Sequence, residues 1–343
     1  MFDLEKLVRS NVRKLTPYSC ARDDFHGKAD IFLDANENPF GILNRYPDPY
    51  QRELKAVISS IKKVPEEKIF LGNGSDEIID LCYRIFCKPG TDKALTFFPS
   101  YGMYEVSASV NDVEIIRIPL DSRFRINYND LVPWLSDERL KLIIICSPNN
   151  PTGNCMDRSV VEKIISAFNG VILLDEAYID FTDQPSLKDS ITGYPNLIVM
   201  QTFSKAFGMA SVRVGMAFTN PEIVKYLNKM KPPYNISTVN QKAVLRKLAN
   251  SGEYLTQVRK IREEKERLSG ELVKLPLTLE VYPSDTNFLL VRVKDAGLIY
   301  SYLVSRGIII RNRSSVIENC IRITVGTKAE NTRLLKALKG IEI

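Results

Sequence analysis

From about residue 66 to 220, short apolar runs alternate with stretches whose apolar residues recur every three or four positions. The runs suit strands buried on both faces and the periodic stretches suit helices with one buried face, so the segment predicts repeated βα units and a mainly parallel sheet. The expected strands are 68–71, 93–98, 113–118, 141–146, 170–174, 196–201 and 212–218. Ile78, Ile79, Leu81 and Ile85 lay a helical stripe along Ser75 to Cys87, and Ser159 to Phe168 repeats the spacing. A seven-stranded α/β sheet of this kind binds ligands in loops beyond its strand ends.

After Pro232-Pro233 the pattern changes to a helical region over about 238–273, interrupted near Ser251-Gly252. Strands at 278–282, 286–292 and 320–325, with helices near 296–305 and 329–339, predict a small α+β domain. The expected division is a large domain over 30–235 and a small domain made of 1–29 with 236–343.

Composition narrows the function classes. With 343 residues, 44% hydrophobic and 26% charged, the chain has material for a substantial core, which excludes disordered and fibrous classes. Its longest apolar runs, such as Leu142 to Cys146 and Val171 to Leu174, are too short for a membrane span, and Met1 to Lys6 lacks a secretory pattern. A cytoplasmic protein is expected. The six cysteines form no CxxC pair and His26 is the only histidine, so a multi-histidine metal site is excluded and no metal is expected. The net charge of +6 is spread over helical faces, as with Lys260, Lys265 and Arg267 among Glu263, Glu264 and Glu266. That favours small anionic substrates over nucleic acid.

Candidate chemistry gathers at strand ends. Asp175 closes the run Gly170 to Leu174, with Tyr178 three residues on. Alone, Asp-Glu-Ala-Tyr reads equally as a strand-terminal turn; beside a lysine it reads as a carboxylate for a pyridine nitrogen and a phenol for a ring oxygen. Lys205 stands alone as a cation among small and apolar residues from Phe203 to Val212, after Ser204 and eight positions before Arg213. An amine desolvated there becomes a nucleophile. Ser147 to Gly153, around Asn150, supplies turn dihedrals and an amide at another strand end. Leu71-Gly72-Asn73-Gly74-Ser75-Asp76-Glu77 leads a strand into a helix and can cradle an anion, although no dinucleotide or GxxxxGK fingerprint is present. Tyr101 follows another strand and can stack on a flat ring or join the core. Arg322 is a charge among apolar residues of a strand and needs an anion, with Arg311 and Arg333 as supplements.

In order, GxGSD, SYG, NNPTG, DEAY, SK, an arginine eight later and RITVGT resemble fold-type I pyridoxal phosphate enzymes of the aspartate aminotransferase superfamily from end to end. Leu15-Thr16-Pro17-Tyr18, Leu33 to Gly41, Asn44-Arg45-Tyr46-Pro47 and Ile309-Ile310-Arg311-Asn312 are similar to the histidinol-phosphate aminotransferase family within it. The resemblance implies pyridoxal 5'-phosphate held by Lys205, with Asp175 at the pyridine nitrogen, Tyr178 and Asn150 at the ring oxygen, and Tyr101 on the ring. It places Gly74, Ser75, Asp76, Ser204 and Arg213 around the phosphate, with Tyr46 from the partner of a homodimer. Arg322 would hold the substrate anion, assisted by Tyr18, Asn38, Arg311 and Arg333. The stretch between Arg311 and Arg322 is shorter than in some relatives.

The implied reaction moves an amino group from L-histidinol phosphate to 2-oxoglutarate. Competing readings are an aromatic-amino-acid aminotransferase, a threonine-phosphate decarboxylase of the same fold, or a non-catalytic binding protein on this scaffold.

Overall fold

The computed structural model describes residues 2–20 and 30–341. His26 lies outside the described residues. The chain opens with two short helices, α1 (Leu4–Leu7) and α2 (Ser10–Lys14), followed by α3 (Arg52–Lys62). Then come β1 (Ile69–Gly72), α4 (Ser75–Phe86), β2 (Lys93–Phe98), α5 (Met103–Val110), β3 (Glu114–Pro119) and the single turn α6 (Tyr128–Leu131). They are followed by β4 (Leu140–Cys146), α7 (Arg158–Ala167), β5 (Val171–Asp175), β6 (Leu197–Thr202) and β7 (Gly215–Phe218).

These seven strands form one sheet in the order β1-β7-β6-β5-β4-β2-β3. β7 pairs antiparallel with both neighbours, whereas the other pairings are parallel. The cause is the 203–214 connection, which carries a 3₁₀ turn at Ala210–Val212 and no crossover helix with which to return the chain parallel. That turn, and Arg213 at φ 54, also explain why the strand expected from 212 begins only at Gly215. The carboxyl ends of the other six strands therefore share one edge.

Along the central strands, consecutive residues alternate between two buried layers. Ile143, Ile145, Ile172, Leu174, Leu197 and Val199 face a core shared with Leu54, Ile58, Ile164 and Val244. Leu142, Ile144, Val171, Leu173, Ile198 and Met200 face the other layer, shared with Ile78, Leu81, Ile85, Tyr104 and Ile223. Burial on both faces is why these strands read as continuous apolar runs.

Helices α8 (Pro221–Met230), α9 (Thr238–Ala249) and α10 (Ser251–Leu272) lead to the small unit, and the helical break falls at Asn250. β8 (Thr278–Val281), β9 (Phe288–Val293), α11 (Ala296–Ser305), β10 (Arg311–Asn312), β11 (Cys320–Thr324) and α12 (Lys328–Lys339) complete the chain. Their four strands form an antiparallel sheet in the order β10-β11-β9-β8. β10 has only two residues, too few for a periodic signal.

Val8 and Val12 are buried in the large unit's core with residues of α4 and α8, and the Arg9 amide donates to the Ile85 carbonyl at 3.0 Å. Residues 4–14 therefore pack on the large unit: Val8 and Val12, with Leu4 and Leu7 beside them, close a layer left open between α4 and α8.

Lys55 on α3 is nearly buried, and burial first and Lys231 second push its ammonium down to about 8. The unfolded chain keeps the ordinary value of 10.5, so it binds more protons between about pH 8 and 10.5. Stability should rise with pH through that window, with the ionisation penalty fully present below it. Lys55→Met should gain on the order of 1–3 kcal/mol at pH 7 and lose this pH dependence. Urea denaturation at pH 7 and pH 10 measures both.

Candidate active site

At the shared edge, the ends of β1, β4, β5 and β6 and the loop after β2 surround a cleft of about 460 Å³, counting its open mouth. Strand parity decides what enters it. Asp175 follows Leu174 and so faces the layer of α4 and α5, whereas Glu176 faces the opposite layer. Asp175 is buried; its Oδ2 accepts the Tyr104 hydroxyl at 2.6 Å and its Oδ1 accepts the Ala177 amide at 3.0 Å. Burial dominates and leaves its carboxyl above the ordinary carboxylate value, although the Tyr104 and Ala177 hydrogen bonds and the Lys205 charge pull it back down. Glu176 instead accepts from Ser186, the Leu187 amide and Gln201, tying down the 183–190 loop.

Lys205 lies in the β6–β7 connection, its Nζ 5.4 Å from the centre of the Tyr178 ring. Burial lowers its pKa, as does the nearby Arg322 charge, so the neutral amine is within easier reach than on a surface lysine. Tyr178 is buried edge-on against Phe288, with ring centroids 5.3 Å apart.

The β1–α4 turn meets the start of β7. Gly74, at φ 76, precedes Ser75 at the N-terminus of α4, and a Cβ on it would lie 2.6 Å from Arg213 Nη2. Arg213 donates to Asp76 Oδ2 at 3.1 Å, and the Tyr101 hydroxyl donates to Asp76 Oδ1 at 3.2 Å. Asp76 thus aims both a guanidinium and an aromatic ring at a helix N-terminus open to an anion. The Ser204 amide donates to Thr202 Oγ1 at 3.1 Å, which turns the lysine loop back into the cleft.

The small sheet closes the other side. Arg322 donates to Asn150 Oδ1, and its guanidinium carbon lies 5.2 Å from the Phe288 ring centre. Arg311 stands directly opposite Arg322 in the β10–β11 register, and Arg313 lies two residues along the same face. Among the described residues, Arg322 Nε and Arg313 Nε are buried without a hydrogen-bond partner, and none of the three arginines has a carboxylate within salt-bridge distance.

Of the residues expected from sequence, Ser75, Asp76, Tyr101, Asn150, Asp175, Tyr178, Ser204, Lys205 and Arg213 line one cleft, with Gly74 and Arg322 adjoining it. Arg333 is not brought there: it donates to the Arg306 carbonyl at 3.1 Å, because its turn of α12 faces the carbonyl end of α11. Tyr18, Asn38 and Tyr46 also stand apart from the cleft in the single chain. Tyr18 is exposed, Asn38 Oδ1 accepts the Phe40 amide, and Tyr46 stacks on Tyr234 beside a separate groove along 36–48. Tyr104, Thr202 and Arg313 were not singled out from sequence. Tyr104 left one faint signal, its position one helical turn after Tyr101.

The model of the family described as aminotransferase class I and II matches residues 26–338. The chain is 50% identical over 345 residues to a histidinol-phosphate aminotransferase of Cytophaga hutchinsonii, covering 98% of this chain and 99% of that protein. The histidinol-phosphate aminotransferase of Clostridium acetobutylicum superposes with a TM-score of 0.80 at 29% identity, covering 89% of this chain and 97% of the other. That of Sinorhizobium meliloti, solved in complex with pyridoxal-5'-phosphate, gives 0.78 at 24% identity, covering 89% and 88%. The last likeness concerns the fold.

Gly215 sets how closely β7 approaches the anion-facing turn. A Cβ there would lie 2.5 Å from the Ser75 nitrogen and 2.6 Å from the Gly74 carbonyl carbon, both backbone atoms. Gly215→Ala should cost roughly 1–3 kcal/mol, the usual price of overpacking. Gly252→Ala, whose Cβ would meet nothing within 4 Å, should be neutral or slightly stabilising. Thermal unfolding of the two variants makes the comparison.

Proposed function

The chain belongs to the aminotransferase class I and II family, and we propose that it transfers the amino group of L-histidinol phosphate to 2-oxoglutarate, giving imidazole acetol phosphate and L-glutamate for histidine biosynthesis. The observation that carries this is the meeting of Lys205, Asp175, Tyr178 and Asn150 with Arg322 at one cleft, in a chain half identical along its length to an enzyme of that activity.

The residues suit pyridoxal 5'-phosphate. A buried carboxylate answers a ring nitrogen, a phenol and an amide stand together for a ring oxygen, and a glycine turn with a helix N-terminus and Arg213 suits a phosphate. When bound, the cofactor supplies an aldehyde for an amine and a protonated ring that draws electrons from the substrate's α-carbon. Lys205 would hold the cofactor through its aldehyde and, once its amine is free, would serve as the base that moves the substrate's α-proton. Its lowered pKa favours that role. Asp175 would meet the ring nitrogen and favour its protonation, Tyr178 and Asn150 would bind the ring oxygen, and Tyr101 would stack on the ring. Ser75, Ser204 and Arg213 hold the phosphate, with Asp76 aiming Arg213.

Arg322 binds the distal anion of either substrate, since a guanidinium fork accepts a phosphate or a carboxylate. Arg311 assists from the opposite strand position. Tyr18, Asn38 and Tyr46 act across the interface of a homodimer, which accounts for their distance from the cleft of their own chain. Exposed Ile31, Leu33, Phe40, Ile42 and Leu43 along the same stretch give that interface apolar surface. The enzyme works in the cytoplasm; among the described residues no helix is long and apolar enough to cross a membrane.

An amino-donor panel against 2-oxoglutarate, with histidinol phosphate and phenylalanine, tests the substrate. Turnover of histidinol phosphate is expected to dominate; carbon dioxide release from phosphothreonine with no transfer from histidinol phosphate would replace this reading with a decarboxylase. Lys205→Ala should abolish the visible absorbance that borohydride removes and lower kcat by about 10³-fold or more. Arg322→Ala should weaken kcat/KM for both histidinol phosphate and glutamate by roughly 10²-fold, and undiminished turnover of both would refute the shared anion site.

A further inference from the structure

We infer that Tyr104 is a positioning residue for this reaction, its phenol fixing the plane and the ionised state of the Asp175 carboxylate that meets the cofactor's ring nitrogen. The inference rests on the pyridoxal phosphate reading of the cleft. Asp175 has two anchors, one on each oxygen: the Ala177 amide at 3.0 Å and the Tyr104 hydroxyl at 2.6 Å. With the amide alone, the carboxylate could turn about its Cβ–Cγ bond; two donors on different oxygens fix its plane and leave lone pairs for a third partner. The phenol is the stronger anchor, being short and charge-assisted.

Tyr104 is itself held in place. It is fully buried, its carbonyl accepts the Tyr83 hydroxyl at 2.8 Å, and its ring meets the Tyr101 ring edge-on at 5.5 Å and 87°. No solvent can replace its hydroxyl. Burial and the Asp175 charge push the phenol far up, so it remains a donor throughout the working pH range. The same side chain therefore braces the ring proposed to stack on the cofactor and the carboxylate proposed to meet its nitrogen.

The chemical consequence has a definite sign. A hydrogen bond donated to Asp175 makes it a weaker base, so a proton shared between carboxylate and pyridine stays on the pyridine. Without the phenol the carboxylate becomes more basic and the proton shifts toward it, leaving the ring a poorer electron acceptor. A tyrosine serving the core alone would not affect that proton.

The experiment uses the full-length enzyme loaded with pyridoxal phosphate labelled with ¹⁵N in its ring. In Tyr104→Phe the ring-nitrogen resonance should move toward the unprotonated position, and kcat for histidinol phosphate should fall roughly 10- to 100-fold with KM within about twofold. 3-Fluorotyrosine at 104, a stronger donor of nearly the same shape, should keep the resonance at the protonated position and retain activity. In an Asp175→Asn background, Tyr104→Phe should change kcat less than about twofold, because its effect passes through Asp175. An unmoved resonance in Tyr104→Phe, or equal losses with and without Asp175, overturns the positioning role. A wild-type enzyme that takes up no pyridoxal phosphate overturns the cofactor reading instead, which the label reports separately.

Discussion

Burying a carboxylate at the carboxyl end of β5 obliges the elements around it to supply donors and positive charge, since an unanswered buried charge costs several kcal/mol. Asp175 is answered by the Ala177 amide, the Tyr104 hydroxyl and the charge of Lys205. Each comes from a different part of the chain, so the demand fixes their mutual placement. The parallel register brings the end of β6, and with it the lysine loop, beside the end of β5. Parity turns Asp175 toward α5, where Tyr104 waits, and Glu176 away from it. Two adjacent acids thus acquire different duties from a half-turn of the backbone: Glu176 pins a loop, and Asp175 faces the cleft.

The small sheet presents the opposite imbalance. Arg311 and Arg322 stand directly opposite each other, an arrangement that is unfavourable when both are charged, and Arg313 adds a third guanidinium on that face. Burial and mutual repulsion lower the pKa of Arg322 and Arg313. Asn150 accepts from Arg322 but brings no charge. An anion between the guanidiniums would relieve that crowding, and a phosphate dianion would answer more of the charge than a single carboxylate.

Much of this was legible in the chain because the chemistry sits where periodicity breaks. Apolar runs buried on both faces marked the central strands, and Asp175, Asn150, Tyr101 and Lys205 each follow one of them. The placement of Arg333 was not legible: RITVGT and the helix after it identify the segment but not which turn of α12 faces α11. Tyr104 was hidden for a related reason. Inside an apolar helix a tyrosine reads as core, and its hydroxyl gains meaning only when a strand from seventy residues later arrives against it. The layer that Val8 and Val12 close was not legible either, because a short helix's few apolar positions do not say which neighbour they meet.

Asp76 organises a third part of the cleft, accepting from Arg213 on one oxygen and from Tyr101 on the other and so holding the guanidinium at the α4 N-terminus. Its own position is set by Gly74 and Gly215, whose lack of side chains lets β7 press against the turn. The acid at the far end of β5 and the cation at the start of β7 therefore remain separate, each facing the cleft with a charge that only a ligand carrying both a basic nitrogen and an anionic group can answer at once.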